Sequence, residues 1–386
     1  MISREIASQI KKLQSKYPVI SITGPRQSGK TTLAQAHFPK HAYFNLENPD
    51  IFSLARSDSK SFLKLGSKTK MIIDEVQKLP ELLSYIQTEV DVQKIASQYV
   101  ITGSQNFSLS EKITQSLAGR VANFTLLPLS YRELTKNKHS GDRSVFELMI
   151  TGFYPAIYDR NIPPKDFYRD YLFTYVERDV RQIVNIGDLS NFQNFLQLLA
   201  GRVGQKINFS SLSDDVGVSY KTIDAWISIL EASYIVFKLQ PYYENFGKRL
   251  TKSPKIFFTD TGLLSFLLSI ESAKIFENYH LAGSIFENFI ISEKMKEIYN
   301  RRSLDRLYYW NDNNRNEVDL IVDCGMTKEA VEVKMSKTFS SDFLKGLSYW
   351  KYVAKKYKVT QKIIYTGEVE QRIHDTQLLN WKSYAG

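Results

Sequence analysis

The stretch that most constrains this chain is Gly24-Pro25-Arg26-Gln27-Ser28-Gly29-Lys30-Thr31, spaced as G-x-x-x-x-G-K-[ST]. Val19, Ile20 and Ile22 precede it as a β-branched run of the kind found in buried strands. Thr31 to Ala36 continue from it as a helix. Such a chain must bury the strand in a sheet, turn sharply at its end, and start a helix whose first amides face the turn. Gly24 and Gly29 leave the backbone open to close approach by a phosphate. Lys30 is expected at the β- and γ-phosphates, and Thr31 on Mg²⁺. The expectation is a nucleoside triphosphate, ATP with Mg²⁺, held by Gly24 through Thr32.

At 386 residues the chain exceeds one ordinary core, so two or three domains are expected. No apolar run approaches the roughly 20 residues of a membrane span; Gly262 to Ile270 is the nearest. The first residues read as a charged amphipathic helix, not a secretory signal. Cys324 is the only cysteine and the five histidines are scattered, which excludes an internal disulfide and a cysteine-rich zinc site. A cytoplasmic protein with no membrane partner is expected. Most of the net charge of +10 falls before Ile150, where it permits DNA binding or offsets bound triphosphate.

From Met1 to about Ser130, strands alternate with helices, as a parallel sheet requires. After the loop, Ala42 to Leu46, Met71 to Gln77, Tyr99 to Gln105 and Val121 to Leu126 read as strands. Leu79 to Val90 and Ser110 to Leu117 read as helices between them. Asp74 and Glu75 leave the end of an apolar strand. Asp74 fits the acid that holds Mg²⁺, and Glu75 fits the general base for the attacking water. The second acid favours hydrolysis over a small-molecule kinase. Ser104 and Gln105 either sense the γ-phosphate or cap the next helix. Arg120 is a candidate charge stabiliser, in cis or from a neighbouring subunit, or else an exposed structural arginine.

Ile72-Ile-Asp-Glu-Val-Gln, Ile101-Thr-Gly-Ser-Gln, Leu117-Ala-Gly-Arg and Leu127-Pro-Leu-Ser together resemble the prokaryotic AAA-type ATPases that carry a C-terminal domain of unknown function. Gly152-Phe-Tyr-Pro, Tyr175-Val-Glu-Arg-Asp-Val-Arg, Leu230-Glu-Ala-Ser-Tyr-Ile, Asn245-Phe-Gly-Lys-Arg and Phe258-Thr-Asp-Thr-Gly extend the likeness over nearly the whole chain. Thr151, where a second glycine often stands, is a small departure.

Beyond the lysine-rich loop at Lys136 to Ser144, Asp166 to Val184 reads as a helix. On it Glu177, Arg178, Asp179 and Arg181 form an ion-pair network or lend an arginine across a subunit interface. Asn191 to Val203 is amphipathic. Phe209 to Glu231 has helix-turn-helix form, with Leu212 and Val216 inward, Gly217 at the turn, Ser219 as cap, and Ile223, Trp226, Ile227 and Leu230 buried. Tyr234 to Leu239 would be a wing strand. Ser219 to Thr222 would face a DNA groove, but Asp214, Asp215, Asp224 and Glu231 oppose phosphates.

In the last third, Ala282 to Tyr299 is a helix bearing Glu287. Leu307 to Trp310, Glu317 to Asp323, Ala330 to Lys334 and finally Gln361 to Tyr365 are strands, with a helix over Asp342 to Lys356. Asp319 and Glu332-Val-Lys334 are spaced like the PD-(D/E)xK nuclease core, with Val318 in place of the proline. Strand alternation puts Glu332 and Lys334 on one face. Asp319 and Glu332, with Glu287 as a further ligand or orienter, would hold Mg²⁺, and Lys334 would steady the attacking water or the phosphate charge.

The expected architecture is α/β throughout. It comprises a P-loop NTPase parallel sheet (1–135), a helical, winged-helix-like domain (136–270) and a restriction-endonuclease-like α/β domain (271–386). ATP turnover would be coupled to a nuclease-like domain acting on DNA. The alternative is an ATP-switched scaffold whose inactive nuclease fold docks a protein partner. Oligomerisation is open.

Overall fold

A computed structural model describes residues 2–66, 69–104, 113, 115–176, 189–243, 253–312, 314 and 316–386. They fall into two compact units. The first is Met1–Leu129 with the short pieces Ala232–Tyr234 and Tyr299–Arg302, and the second is the remainder.

In the first unit, strands β1 (Val19–Thr23), β2 (Ala42–Asn45), β3 (Met71–Asp74), β4 (Tyr99–Gly103) and β5 (Val121–Thr125) form one sheet in the order β2-β3-β4-β1-β5. Every neighbouring pair is parallel. Helices therefore cover both faces, and the strands are apolar throughout. Alternation divides the core: Met71, Ile73, Tyr99 and Ile101 pack with the helices Pro49–Ser57, Ser59–Lys64 and Leu82–Gln93 on one side. Ile20, Ile22, Ile72 and Val100 pack with Ile6, Ile10, Leu33 and Ala34 on the other. Each fully buried isoleucine contributes about 1.5–3 kcal/mol. All five strands expected in this region form. Half of the expected helix at Ser110 to Leu117 lies outside the described residues, with Ile113, Gln115 and Ser116 helical; Gln105, Arg178, Arg181 and the stretch from Asn245 to Arg249 lie outside them entirely.

The second unit is built on β6 (Val236–Pro241), β7 (Lys255–Phe258), β8 (Arg306–Asn311), β9 (Glu317–Cys324), β10 (Thr327–Lys334), β11 (Lys358–Tyr365), β12 (Gln371–Ile373) and β13 (Thr376–Asn380). They make a mixed sheet in the order β12-β13-β11-β10-β9-β8-β6-β7. The strand expected as a wing, β6, pairs antiparallel with β7 and also parallel with β8. The sheet thus runs through residues on both sides of position 270. The helix-turn-helix forms as expected: Phe209–Val216 and Tyr220–Ala232 flank Gly217 (φ 77°), and Ile223, Trp226, Ile227 and Leu230 are buried. The helix expected from Asp166 runs from Pro164 to Tyr171 and passes into a π-helical turn at Leu172–Val176.

The strand at Gln361 to Tyr365 is not the last. β12, β13 and a closing helix, Trp381–Ala385, come after it. Their apolar positions are few and widely spaced, so no periodicity announced them. Trp381 supplies the missing reason: it is buried against Tyr131 and Phe289, with ring centroids 4.9 and 5.6 Å away.

Candidate functional site

The phosphate loop joins the C-terminal end of β1 to the helix Lys30–His37. Gly24 has φ 144°, and a Cβ there would lie 2.1 Å from the carbonyl oxygen of Leu126. The chain leaving β5 thus requires a glycine here as well, independently of any phosphate. Gly29 (φ 93°) is the N-cap, and no side chain caps the helix start. Its first amides are left for a ligand. Ser28 Oγ is buried with no hydrogen-bond partner among the described residues. Pro25 is buried, Arg26 half-buried, and Gln27 (φ 59°) and Thr32 exposed.

Lys30 is buried and donates to the carbonyl oxygens of Pro25 (2.7 Å) and Gly24 (3.1 Å). Burial lowers its ammonium to about 8, against the opposing pull of Glu75 and Asp74. Among the described residues this ammonium makes no ion pair. The uncapped amides, the unpartnered Ser28 hydroxyl and the desolvated lysine together fit the phosphates of a nucleotide.

Asp74, at the end of β3, is a hub. Its Oδ2 accepts from Thr31 Oγ1 (2.8 Å) and Tyr43 OH (2.8 Å), and its Oδ1 from Thr102 Oγ1 and the amide of Glu75 (3.1 Å). Thr31 and Asp74, expected to share Mg²⁺, are therefore side by side, and their oxygens suit that ion. Glu75 adopts a left-handed backbone (φ 57°). Burial raises its carboxyl pKa, opposed first by Lys30. Gln77 Nε2 bridges Glu75 Oε2 to Ser104 Oγ, the latter at 2.9 Å. Ser104 thus belongs to the site. Tyr43, Thr102 and Gln77 were not foreseen; only Gln77, beside the Asp-Glu pair, carried a local signal.

Arg4 was also missed. Its guanidinium donates to Ser28 O (2.8 Å) and Leu127 O (2.6 Å), tying the phosphate loop to the exit of β5. Arg120 lies elsewhere. Its carbonyl accepts from Val19 N (3.2 Å) at the start of β1, the opposite end of the sheet from the loop, about 16 Å along a five-residue strand. Its side chain makes a bidentate pair with Asp91 (2.5 and 2.8 Å). Within one chain it does not reach the loop.

The second unit brings together Glu287, Asp319, Glu332 and Lys334 with two residues not foreseen, Lys255 and Glu317. Val331 pairs with Leu320 across β10 and β9, which sets Asp319 beside Glu332. Asp319 Oδ2 accepts from Val333 N (2.8 Å), and Lys334 Nζ lies 2.6 Å from Glu332 and 3.8 Å from Asp319. Lys255 Nζ takes Glu317 (2.6 Å) and Glu287 (3.2 Å). Asn288 fixes that meeting: it accepts from Phe258 N (2.6 Å) and donates to Phe258 O (2.9 Å), docking the helix Ala282–Arg301 on β7. Burial raises both Glu287 and Glu332, Lys255 and Lys334 opposing and Asp319 adding. Glu332 Oε2 is buried without a hydrogen-bond partner among the described residues. Among the described residues, no three acidic or histidine side chains converge to hold a metal ion. The carboxylates expected to hold Mg²⁺, Asp319, Glu332 and Glu287, are shared here with two ammonium groups, Lys255 on Glu287 and Lys334 on Glu332 and Asp319.

Comparison with known proteins gives three consecutive matches. Residues 16–135 match the AAA domain family, 142–274 a domain of unknown function (DUF8612), and 282–384 another (DUF4143). Most of the first unit is thus similar to AAA domains. An uncharacterized protein of Mycobacterium tuberculosis is 29% identical over 341 residues, covering 87% of this chain and 74% of its own. One from Methanocaldococcus jannaschii is 25% identical over 363 residues, covering 86% and 77%. Among solved structures, a Walker-type ATPase of Pyrococcus abyssi is 15% identical over 69% of this chain and 96% of its own, with a TM-score of 0.47. No helix among the described residues is long and apolar enough to cross a membrane.

Proposed function

We propose that the first unit binds ATP with Mg²⁺ and hydrolyses it. The observation that carries this reading is the convergence of Lys30, Thr31, Asp74 and Glu75 at the C-terminal ends of β1 and β3. Lys30 and the uncapped amides would hold the phosphates, and Thr31 and Asp74 would hold the ion, whose charge would offset that of the phosphates. Glu75, its carboxyl pKa raised by burial, takes the proton from the attacking water. Gln77 and Ser104 orient Glu75. Lys30→Ala should abolish nucleotide binding, while Glu75→Gln should keep binding and lose turnover by a factor of about 10²–10⁴. A Gln variant that turns over at the parent rate removes Glu75 from the role.

For the second unit, we infer action on DNA coupled to that turnover. The support is the meeting of Asp319, Glu332 and Lys334 on adjacent strands, with the helix-turn-helix as an accessory module of winged-helix type. A second reading, an ATP-switched scaffold that docks a protein, is favoured by the lysine pairing, which leaves no three-carboxylate group for a metal among the described residues. Plasmid incubated with the protein and Mn²⁺ or Mg²⁺ separates them. Cutting abolished by Asp319→Ala and by Lys334→Ala supports the first reading, and intact plasmid supports the second.

A further inference from the structure

The helix Lys345–Val353 has two unlike faces. Leu347 and Trp350 are buried against Ile321, Ala330 and Ile363. Gly346 lies so close to β9 that a Cβ would meet the carbonyl oxygen of Glu317 at 1.9 Å. The outer face carries Tyr349 and Tyr352, 38% and 73% exposed, with Val353 beside them. Tyr349 is stacked on Trp310, centroids 5.8 Å apart, which fixes its plane. Tyr352 has the Lys355 ammonium 5.9 Å from its ring centre. Lys356 and Lys358 continue the run, both exposed.

Lysines after a helix C-terminus complement its dipole, which accounts for the charge but not for two exposed tyrosines. Lys345 and Lys351 pair with Asp342 and Asp375, whereas Lys355 and Lys358 make no ion pair among the described residues. Excess positive charge interleaved with exposed, oriented aromatic rings is the surface that takes a phosphate backbone and stacks its bases. A duplex hides its base faces, so the tyrosines favour a single strand.

We propose that the outer face of this helix, with Tyr349, Tyr352, Lys355, Lys356 and Lys358, binds single-stranded nucleic acid. The proposal deepens the reading of the second unit as DNA-acting, but needs binding only and no cleavage. The face is anchored through Gly346 on β9, the strand that bears Glu317 and Asp319.

The test uses the full chain carrying Asp319→Ala, without nucleotide, and the fluorescence anisotropy of a labelled twenty-residue oligothymidylate. Binding is expected, weakening as salt rises. Tyr352→Ala should weaken it about fivefold or more, and Tyr352→Phe should restore it, because stacking needs the ring and not the hydroxyl. Lys355→Glu with Lys356→Glu should weaken binding and flatten its salt dependence. Equal affinity for Tyr352→Ala and parent would overturn the proposal. So would preference for the matching duplex, or capture by vesicles of phosphatidylglycerol with no affinity for the oligonucleotide. Plasmid left intact by the protein without Asp319→Ala, alongside normal oligonucleotide binding, would remove the cleavage reading and leave this one standing.

Discussion

Lys30 is the residue whose energetics most clearly anticipate a ligand. Burial lowers its pKa from 10.5 to about 8, so the folded protein holds a charge it would shed more readily than the unfolded chain. Between about pH 8 and 10.5 the unfolded chain binds more protons, and stability rises with pH across that window. Below it the full cost of the buried cation is present. Lys30→Met should therefore remove this pH dependence and melt no lower than the parent at pH 7 without nucleotide. With MgATP at a hundred times the dissociation constant, the parent should gain about 2.7 kcal/mol and the variant nothing. Melts at pH 7 and 9, with and without MgATP, check this; a nucleotide-free Met variant that melts clearly lower would refute it. The loop was legible in the sequence because its spacing is a local signal. Tyr43, Thr102 and Arg4 were not, since each reaches the site across the fold, the first two from strands whose pattern says only that they pack in a sheet and Arg4 from the stretch before the first helix.

At the level of elements, the five strands of the first sheet were legible because each is a short β-branched or aromatic run, and β1, β3 and β4 end at glycine or acid. The second sheet was legible only in part. β9 and β10 are long and alternate, but β12 and β13 are short and polar, stabilised by pairing with β11 and each other. Their retention depends on the closing helix Trp381–Ala385. Trp381 is 3% exposed, and Tyr384 donates to Glu329 Oε1 (2.8 Å), while Glu329 also takes Lys362 (2.6 Å). The helix is thus a clasp over β10 and β11. Trp381→Ala should cost about 3–5 kcal/mol in chemical denaturation of the second unit, leaving MgATP affinity of the first unaltered. A loss below about 1 kcal/mol, the scale of an ordinary point substitution, would show that the helix is not what holds this edge of the sheet. Asn288 makes the same point within a helix: one polar residue in Phe286-Glu-Asn-Phe-Ile-Ile hydrogen-bonds both backbone groups of Phe258 and so delivers Glu287 to Lys255.

The whole molecule has two cores, and two-state unfolding is not expected of it. Lys30 in the first unit and the buried carboxyls Glu287 and Glu332 in the second carry opposite pH signatures. In the second, burial raises Glu287 and Glu332, so folding takes up protons above the ordinary carboxylate range. Its stability is present at low pH and lost as pH rises. Glu332→Gln, which mimics the protonated form, should blunt that loss. Scanning calorimetry can then assign each transition without dissecting the chain: one responds to Lys30→Met, the other to Glu332→Gln. A non-hydrolysable ATP analogue with Mg²⁺ must raise the first. If nucleotide state is coupled to the second unit, as proposed, the second transition must move too. Typical coupling of about 1–3 kcal/mol would shift it by roughly 2–4 °C per kcal/mol. The coupling is reciprocal, so Glu332→Gln should then change the affinity of the first unit for the analogue by the same free energy. A second transition that ignores saturating analogue, with an affinity unchanged by Glu332→Gln, would make the two units independent and leave the ATPase driving something other than the carboxylate–lysine cluster.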